Sequence, residues 1–578
     1  MMKPMLNDKN GVAWIVCLLG LTAAGPAGAG LTVHPLAHRI GQEQRPAVVG
    51  FGPFRAGVAS PHPALATAAE RFRSGQEMTE RQQHDIYRLL GIYTRQRYGS
   101  EAMAMLKRLV AFDTSIVQGV AQHENPNMIA LGKALQRIAD EFGLQYLNVD
   151  NRIFEITLPG RDKDLIGFHA HADVVPVNQQ LWVLEDGTKL NPFQVTTIGN
   201  RMYGRGTQDD KNGIVVSLFA MKVIKEEGLP LRQTLRLIVD TTEETSSTAI
   251  PYYMERRPLP PYNLALDGAY PVVIAEKGYG TVMAEFPVRE VGADRPAIVD
   301  LTGGLATNQI PKAATATFKG GDLKQLQQKI EKAAKRYVKE RGADFAMETA
   351  IADGSLILTV IGVSAHSSQP QTGVNPVSRL LEFIAQNFTA LDVAPNQFTD
   401  AAVYATANWG LDYYGKKIGI DFEHPFMGPL TAAQTYITFD GNSLKTAVNI
   451  RMPAGKTGEQ LKRELAEKLD AWQRAAGMDI TIEHDQREPM YRSPDGAWVK
   501  NLLAIASENL GIEPQFGSSN GATSAHNLPN GVQFGLALST EKYTGHNANE
   551  FKTVDQFLLD LQIVTEAFIR LGNLGSMQ

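Results

Sequence analysis

The sequence predicts an α/β fold, a mostly parallel sheet covered by helices, with an inserted α+β domain. Three observations carry this. From residue 164 onward, apolar runs of strand length alternate with helical patterns. Such alternation lays down parallel strands joined by crossover helices. Polar clusters fall at the carboxyl ends of these strands, where open sheets bind ligands. After Gly278 the texture changes to strand, polar helix, strand and helix, and near residue 489 it returns to the first pattern.

In chain order, residues 1–29 read as a signal peptide. Lys3 and Lys9 precede an apolar run over residues 11–25, and Ala27-Gly28-Ala29 offers a small-x-small cleavage pattern. The run is shorter than the roughly 20 residues of a membrane span. Val16 stands before Cys17 where a lipoprotein box wants a small residue. Cleavage after Ala29 and a periplasmic or secreted location are the expectation. Residues 30–80, rich in Pro, Gly, Ala and Arg, form an N-terminal extension, packed on the surface or mobile. Residues 81–278 give the first part of the core domain. Helical spacing of Ala102, Met105, Leu106, Leu109 and Val110 comes first. The strand DLIGFHAHAD, a helix closed by Gly228, the strand TLRLIVDTT, the short helix AIPYYMERR and the strand edge of YNLALDGAY follow. Residues 279–488 form the inserted domain, with strands TVMAEFPV and SLILTVIGV, a polar helix over 322–341 and a helix over 376–388. Asn375 and Pro376 suit the cap and first position of that last helix. Residues 489–578 complete the core domain with a helix, a Gly-rich loop, the strand GVQFGLAL and a terminal helix.

Composition narrows the function. The 578 residues allow three to four domains at about 150 each. Hydrophobic residues at 43% and charged residues at 20% exclude a disordered chain. A net charge of −5 with scattered Lys and Arg offers no basic field for nucleic acid. A single cysteine, Cys17, excludes disulfide scaffolds and all-cysteine metal sites. Any metal therefore rests on His, Asp and Glu, and the cleaved protein is free of thiols.

Five short motifs offer such ligands. In His171-Ala-Asp173 at a strand end, side chains two apart point the same way, so the imidazole can bind a metal while the carboxylate orients it. His169, deeper in the apolar run, reads as a core histidine. Asp209 and Asp210 follow a Gly-rich turn; a helix N-terminal charge pair is the plain alternative. The glycine spacing there fits no phosphate loop. Glu243 and Glu244 point in different directions at the end of a buried strand, so one can bind metal while the other serves as base. A solvated turn is the alternative. Asp267 precedes Gly268, which also suits a turn, and His546 also suits a surface loop. Together they suit two divalent ions with nitrogen and oxygen ligands, zinc first, manganese or cobalt as alternatives. Ions about 3.5–4 Å apart on a shared carboxylate are a hydrolytic device.

HAHADVVP, YGRGTQDDKNG, TTEET, LDGAYPVVIAEKG, VSAHSSQPQTGVNP, NIRMP and GHNANE stand in this order. Over residues 100–575 the chain thereby resembles the co-catalytic metallopeptidase family of aminoacylases, carboxypeptidase G-type enzymes and carnosinases. DGAYPVVIAEKG and GGLATNQIP point to the peptidase V-like dipeptidase branch. The resemblance implies a zinc-exopeptidase-like catalytic domain with an inserted lid that binds substrate. It implies that Asp209 bridges two metals, that His171 and Asp267 complete one site, and that Glu244 and His546 complete the other. Glu243 is then general base and acid, and Asp173 orients His171. From the lid, His366 stabilises the oxyanion with Asn308, and Arg451 binds the substrate carboxylate. Gly521-Ala522-Thr523 lines the substrate loop. Ala170 stands where the family commonly has Gly, GATSAH replaces a more glycine-rich run, and Asn212 separates Lys211 from Gly213.

The implied activity is exported, metal-dependent hydrolysis of short peptides with a free C-terminal carboxylate, by water activated between two ions. The alternatives are an N-acyl amino acid deacylase of the same family, a non-catalytic binding protein, and a serine hydrolase using Ser519. The last rests on Gly517-Ser-Ser519-Asn-Gly521, which has the spacing of a nucleophile elbow. No apolar strand precedes it, because IEPQF is short and holds Pro514. The partners expected are a small peptide, no nucleic acid and no membrane span after cleavage. The lid is long enough to serve its own site, so a monomer is expected, with a dimer as the alternative.

Overall fold

A computed structural model describes residues 50–59, 63–162, 164–289, 295–304, 306–521 and 523–578. The signal peptide expected at 1–29, Cys17, the first part of the extension and Ala522 lie outside the described residues. The chain begins with helices α1 (Phe51–Ala59), α2 (Pro63–Ser74), α3 (Glu80–Val110) and α4 (Pro126–Glu141). Strands β1 (Gln145–Val149), β2 (Ile153–Leu158) and β3 (Leu165–His171) lead to α5 (Lys211–Glu226). Then come β4 (Thr234–Asp240), β5 (Tyr262–Ala265) and β6 (Val273–Glu276).

A second layer follows: β7 (Gly278–Pro287), β8 (Ala297–Gly303), β9 (Gln309–Ile310), β10 (Ala313–Lys319), α6 (Leu323–Arg341), β11 (Ala346–Ala352), β12 (Ser355–Ile361) and β13 (Ala365–His366). It continues through α7 (Pro376–Asn387), α8 (Gln397–Asn408), β14 (Thr431–Phe439), β15 (Ser443–Met452), α9 (Gly458–Ala476) and β16 (Thr481–Gln486). The chain then adds β17 (Met490–Tyr491), α10 (Ala497–Leu510), β18 (Gly517–Ser519), β19 (Gly531–Gln533) and α11 (Val554–Gly572).

The first sheet runs β1-β2-β4-β3-β5-β19-β6-β17, with β18 beside β6. Its centre, β4-β3-β5-β19, is parallel; β18 runs parallel to β6, and the other outer pairs are antiparallel. Helices cover a centre of this kind, so β3 reads as an apolar run rather than an alternation; only Leu165 of that strand is partly exposed. The second sheet, β11-β12-β10-β8-β14-β15-β7-β16, is wholly antiparallel. It has its own core, including Phe286, Phe318, Leu358, Leu380 and Phe383. Asn375 caps α7 as its sequence predicts, accepting from the N–H groups of Val377 and Ser378.

The described part of the extension is packed. Phe51 and Phe54 in α1 meet the Tyr93 ring at centroid distances of 5.7 and 5.4 Å. Burying each phenylalanine contributes roughly 1.5–3 kcal/mol, enough to hold so short a helix against α3. Thr79 and Gln82 close a capping box at the start of α3. Gly91 lets α3 approach α11: a Cβ there would meet the Gln562 carbonyl oxygen at 2.4 Å. Among the described residues, no helix is long and apolar enough to cross a membrane.

Candidate metal centre and active site

The parallel neighbours β3, β4 and β5 end together, and their ends bring distant residues into one place. His171 closes β3, with Asp173 just beyond; Glu243 and Glu244 follow β4; Asp267 follows β5. The turn over residues 204–210 brings Asp209 from the start of α5, and the loop before α11 brings His546.

His171 Nε2 lies 2.8 Å from Asp209 Oδ1 and 3.8 Å from Asp267 Oδ2. Its Nδ1 lies 2.9 Å from the Asp173 carbonyl oxygen. A carbonyl only accepts, so Nδ1 carries a hydrogen, and Nε2 is the nitrogen that faces the site. On the other side, His546 Nε2 lies 3.1 Å from Asp209 Oδ2 and 2.6 Å from Glu244 Oε1. His546 has a φ of 65°, a left-handed conformation that costs a non-glycine residue about 1 kcal/mol or more. Strain of this kind gathers at functional sites.

Two ligand groups result, His171–Asp209–Asp267 and Asp209–Glu244–His546, the ligand atoms of each lying within 4.8 Å of one another. Asp209 belongs to both. Four carboxylates, Asp209, Glu243, Glu244 and Asp267, thus face two imidazoles. The donors are hard and borderline, with no thiol, and the surplus of negative charge calls for cations; the residues fit a pair of divalent ions. The electrostatics record the same surplus. Burial, with the Asp209 charge beside it, pushes Asp267 up to about 7. Burial, joined by Asp267, Glu244 and Asp209, also holds the Glu243 carboxyl well above its usual range. Burial would raise Asp209 too, but hydrogen bonds from His171 and His546 keep it below that range. Hydrogen bonds to Asp209 and Glu244 push His546 up to about 10.

Glu243 makes no side-chain hydrogen bond or ion pair with another described residue, so its carboxylate is free to meet a ligand. Its backbone is fixed: Asp173 Oδ1 accepts the Glu243 N–H at 3.1 Å, and Oδ2 accepts the Glu244 N–H at 3.0 Å and the Thr245 hydroxyl at 3.3 Å. Asp173 therefore orders the Thr242–Thr245 turn as well as standing 3.5 Å from His171 Nδ1. His169 is a buried residue paired through Nε2 with Asn263 Oδ1 at 2.8 Å, the arrangement of a core histidine.

The second layer supplies the remaining candidates, Arg451 from its large sheet and His366 from a separate two-stranded pair. His366 in β13 pairs with Gln309 in β9, and the Ser367 N–H donates to the Asn308 carbonyl at 2.9 Å. Asn308 therefore flanks the His366 turn through its backbone. The Ser368 N–H lies 3.2 Å from His366 Nδ1. A backbone N–H only donates, so Nδ1 accepts and Nε2 carries the hydrogen. Burial, then the charges of Arg451 and His546, lower His366 to about 4, so its ring is neutral at pH 7. Arg451 stacks over the Tyr279 ring at 5.4 Å, and burial lowers it to about 10, which leaves it cationic.

The 517–526 loop is arranged differently from the other candidates. The Thr523 hydroxyl donates to the buried Glu276 carboxylate at 2.8 Å, so it is committed to the scaffold. The Gly521 N–H donates to Ser519 Oγ at 3.0 Å. No imidazole touches Ser519 among the described residues; His526 pairs instead with Glu276 at 3.0 Å. A serine nucleophile has no base here.

Several residues at the site are not among the candidates that the sequence singles out. Buried Glu550 accepts N–H groups from Gly206, Gln208 and Asp209 at 3.0, 2.9 and 3.2 Å, and pairs with Arg205 at 2.5 Å. Gln208 Oε1 accepts the Thr544 and Gly545 N–H groups at 2.6 and 3.1 Å, tying the Asp209 turn to the His546 loop. The Tyr543 hydroxyl donates to Asp209 Oδ2 at 2.6 Å. Position in GHNANE marks Glu550 in the sequence, but nothing local shows which backbone it serves.

The chain is similar to known proteins along most of its length. Residues 167–570 match peptidase family M20/M25/M40. The chain is 28% identical over 441 residues to a putative dipeptidase, YtjP, of Bacillus subtilis (strain 168), covering 76% of this chain and 89% of that one. It is 27% identical over 474 residues to the Beta-Ala-Xaa dipeptidase of Lactobacillus delbrueckii subsp. lactis, covering 81% and 95%. Human carnosine dipeptidase 1 aligns over 85% of this chain and 99% of its own, at 12% identity and a TM-score of 0.49. The chain belongs to peptidase family M20/M25/M40 and is a hydrolase of peptide bonds.

Proposed function

We propose that the protein is an exported dipeptidase that depends on two divalent ions, zinc first, manganese or cobalt as alternatives. The observation that carries the reading is Asp209, shared by two preassembled ligand groups with an unpaired Glu243 carboxylate beside them. His171, Asp209 and Asp267 would hold one ion, and Asp209, Glu244 and His546 the other. Bound there, the ions supply positive charge that eases loss of a proton from water and polarises an amide carbonyl.

The chain's own residues do the rest. Glu243 accepts a proton from the attacking water and passes it to the leaving amine. Asp173 holds the Glu243 backbone, and its carbonyl fixes the His171 tautomer. His366, neutral and with hydrogen on Nε2, donates to the substrate carbonyl oxygen as negative charge grows on it. Arg451 binds the C-terminal carboxylate, Asn308 flanks the oxyanion side, and Gly521 and Thr523 border the substrate through backbone. The lid is the inserted domain over 279–488, and closure brings its residues onto substrate. The lid is long enough to serve its own site, which supports a monomer, with a dimer as the alternative. Residues 1–29 support export to the periplasm or beyond.

Glu243→Ala tests the reading. It retains two ions per chain and loses nearly all turnover of dipeptides. Activity within a few-fold of wild type would sink the assignment. A panel of dipeptides against N-acyl amino acids separates the dipeptidase from the deacylase.

A further inference from the structure

Asn449 lies in β15 two residues before Arg451, so the two side chains share one face of the strand. It is buried, and its amide is fully used. Nδ2 donates to the Gly280 carbonyl oxygen of β7 at 3.1 Å. Oδ1 accepts from Arg451 Nε at 3.1 Å and from the Ser367 hydroxyl at 2.8 Å. The orientation of the amide follows from its partners, because guanidinium only donates and a backbone carbonyl only accepts. One oxygen atom thus joins the arginine in β15 to the turn that carries His366.

We propose that Asn449 is a positioning residue for hydrolysis, fixing the span between Arg451 and His366. The inference rests on the dipeptidase reading above. A dipeptide places its carboxylate one residue beyond the scissile carbonyl. The guanidinium and the imidazole must meet those two groups at once, and misplacement by about 1 Å can cost roughly 100-fold in rate. Asn449 holds both donors from a single buried anchor. Its two arms separate kinetically: the Arg451 arm governs substrate capture, and the Ser367 arm governs placement of the oxyanion donor.

The test is kcat and KM for Leu-Leu with the zinc-loaded full chain. Asn449→Asp keeps the side-chain size but sets a carboxylate against the guanidinium that the substrate needs. It raises KM about tenfold or more and lowers kcat less than about threefold. Ser367→Ala cuts the other arm, lowering kcat about fivefold or more with KM nearly constant. In an Arg451→Ala background, Asn449→Asp adds less than about twofold to KM, because its target is gone. A purely scaffold role moves none of these ratios. The proposal is overturned by an Asn449→Asp loss confined to kcat, or by a full KM effect that persists in Arg451→Ala. If Asn449→Asp lacks the wild-type melting transition, Ser367→Ala decides: a kcat-only loss supports the proposal, and an unchanged kcat overturns it. Wild-type protein that cleaves no dipeptide overturns the dipeptidase reading, and this inference with it; the other negative results overturn the positioning role alone.

Discussion

Replacing Glu550 by glutamine should weaken both metal sites at once. Glu550 Oε1 accepts three backbone N–H groups of the turn that ends at Asp209, and Oε2 pairs with Arg205 at 2.5 Å. Both partners are buried. Glutamine keeps the shape and can still accept from the turn, but its amide N–H then faces the guanidinium. Breaking a buried pair by removing one charge costs about 3–5 kcal/mol, because the other charge is left uncompensated. Much of that cost falls on the 204–210 turn, whose last residue is the ligand common to both groups. Loss of an outer partner of a ligand typically lowers metal affinity about 10–100-fold. The assay is competitive titration with a chromogenic chelator. Glu550→Gln should weaken both binding steps about tenfold or more, whereas His546→Ala should weaken one. Two ions held by Glu550→Gln within about threefold of wild-type affinity would refute the link from Glu550 through the turn to Asp209.

Three further outcomes follow from the same geometry. His366→Ala should lower kcat about 100-fold or more while leaving metal content at two, as loss of one oxyanion donor does elsewhere; unchanged kcat removes His366 from the site. On the proposed monomer, mixing His366→Ala with Glu243→Ala should restore no activity; recovered turnover shows donation between chains. Burial, then the Arg570 charge, lowers His84 to about 3. Its folded value is depressed below the unfolded 6.5, so the unfolded chain takes up a proton that the folded one refuses. Stability is therefore present above pH 6.5 and falls as pH drops toward 3, by about 2 kcal/mol at pH 5. Denaturant melts of wild type and His84→Gln at pH 7 and pH 5 check this; equal pH slopes refute it.

The proposed metal ligands stand out in the sequence because each ends an apolar run or stands in a compact polar motif. Strand β3 announces His171, β4 announces Glu243 and Glu244, and β5 announces Asp267, since only strand ends can carry polar groups out of a buried sheet. Glu550, Gln208 and Asn449 were not legible as parts of the machinery. Their work is hydrogen bonding to segments far along the chain, and no spacing rule reports a partner 342 residues away, as between Glu550 and Gln208. The packing of residues 50–74 was hidden for another reason. Phe51, Phe54 and Val58 have helical spacing, but the run is too short to stand out among Gly and Pro, and Tyr93 of α3 completes its burial. The Thr523 hydroxyl serves Glu276, a partner that its motif does not announce.

The pairing of two ions through Asp209 is tested most directly by anomalous diffraction at the zinc edge on the loaded protein. The geometry predicts two anomalous peaks about 3.5–4 Å apart, both within bonding distance of Asp209. One should be flanked by His171 and Asp267, the other by Glu244 and His546. A single peak, or peaks bound without Asp209, in protein that still cleaves dipeptides would contradict a two-metal centre.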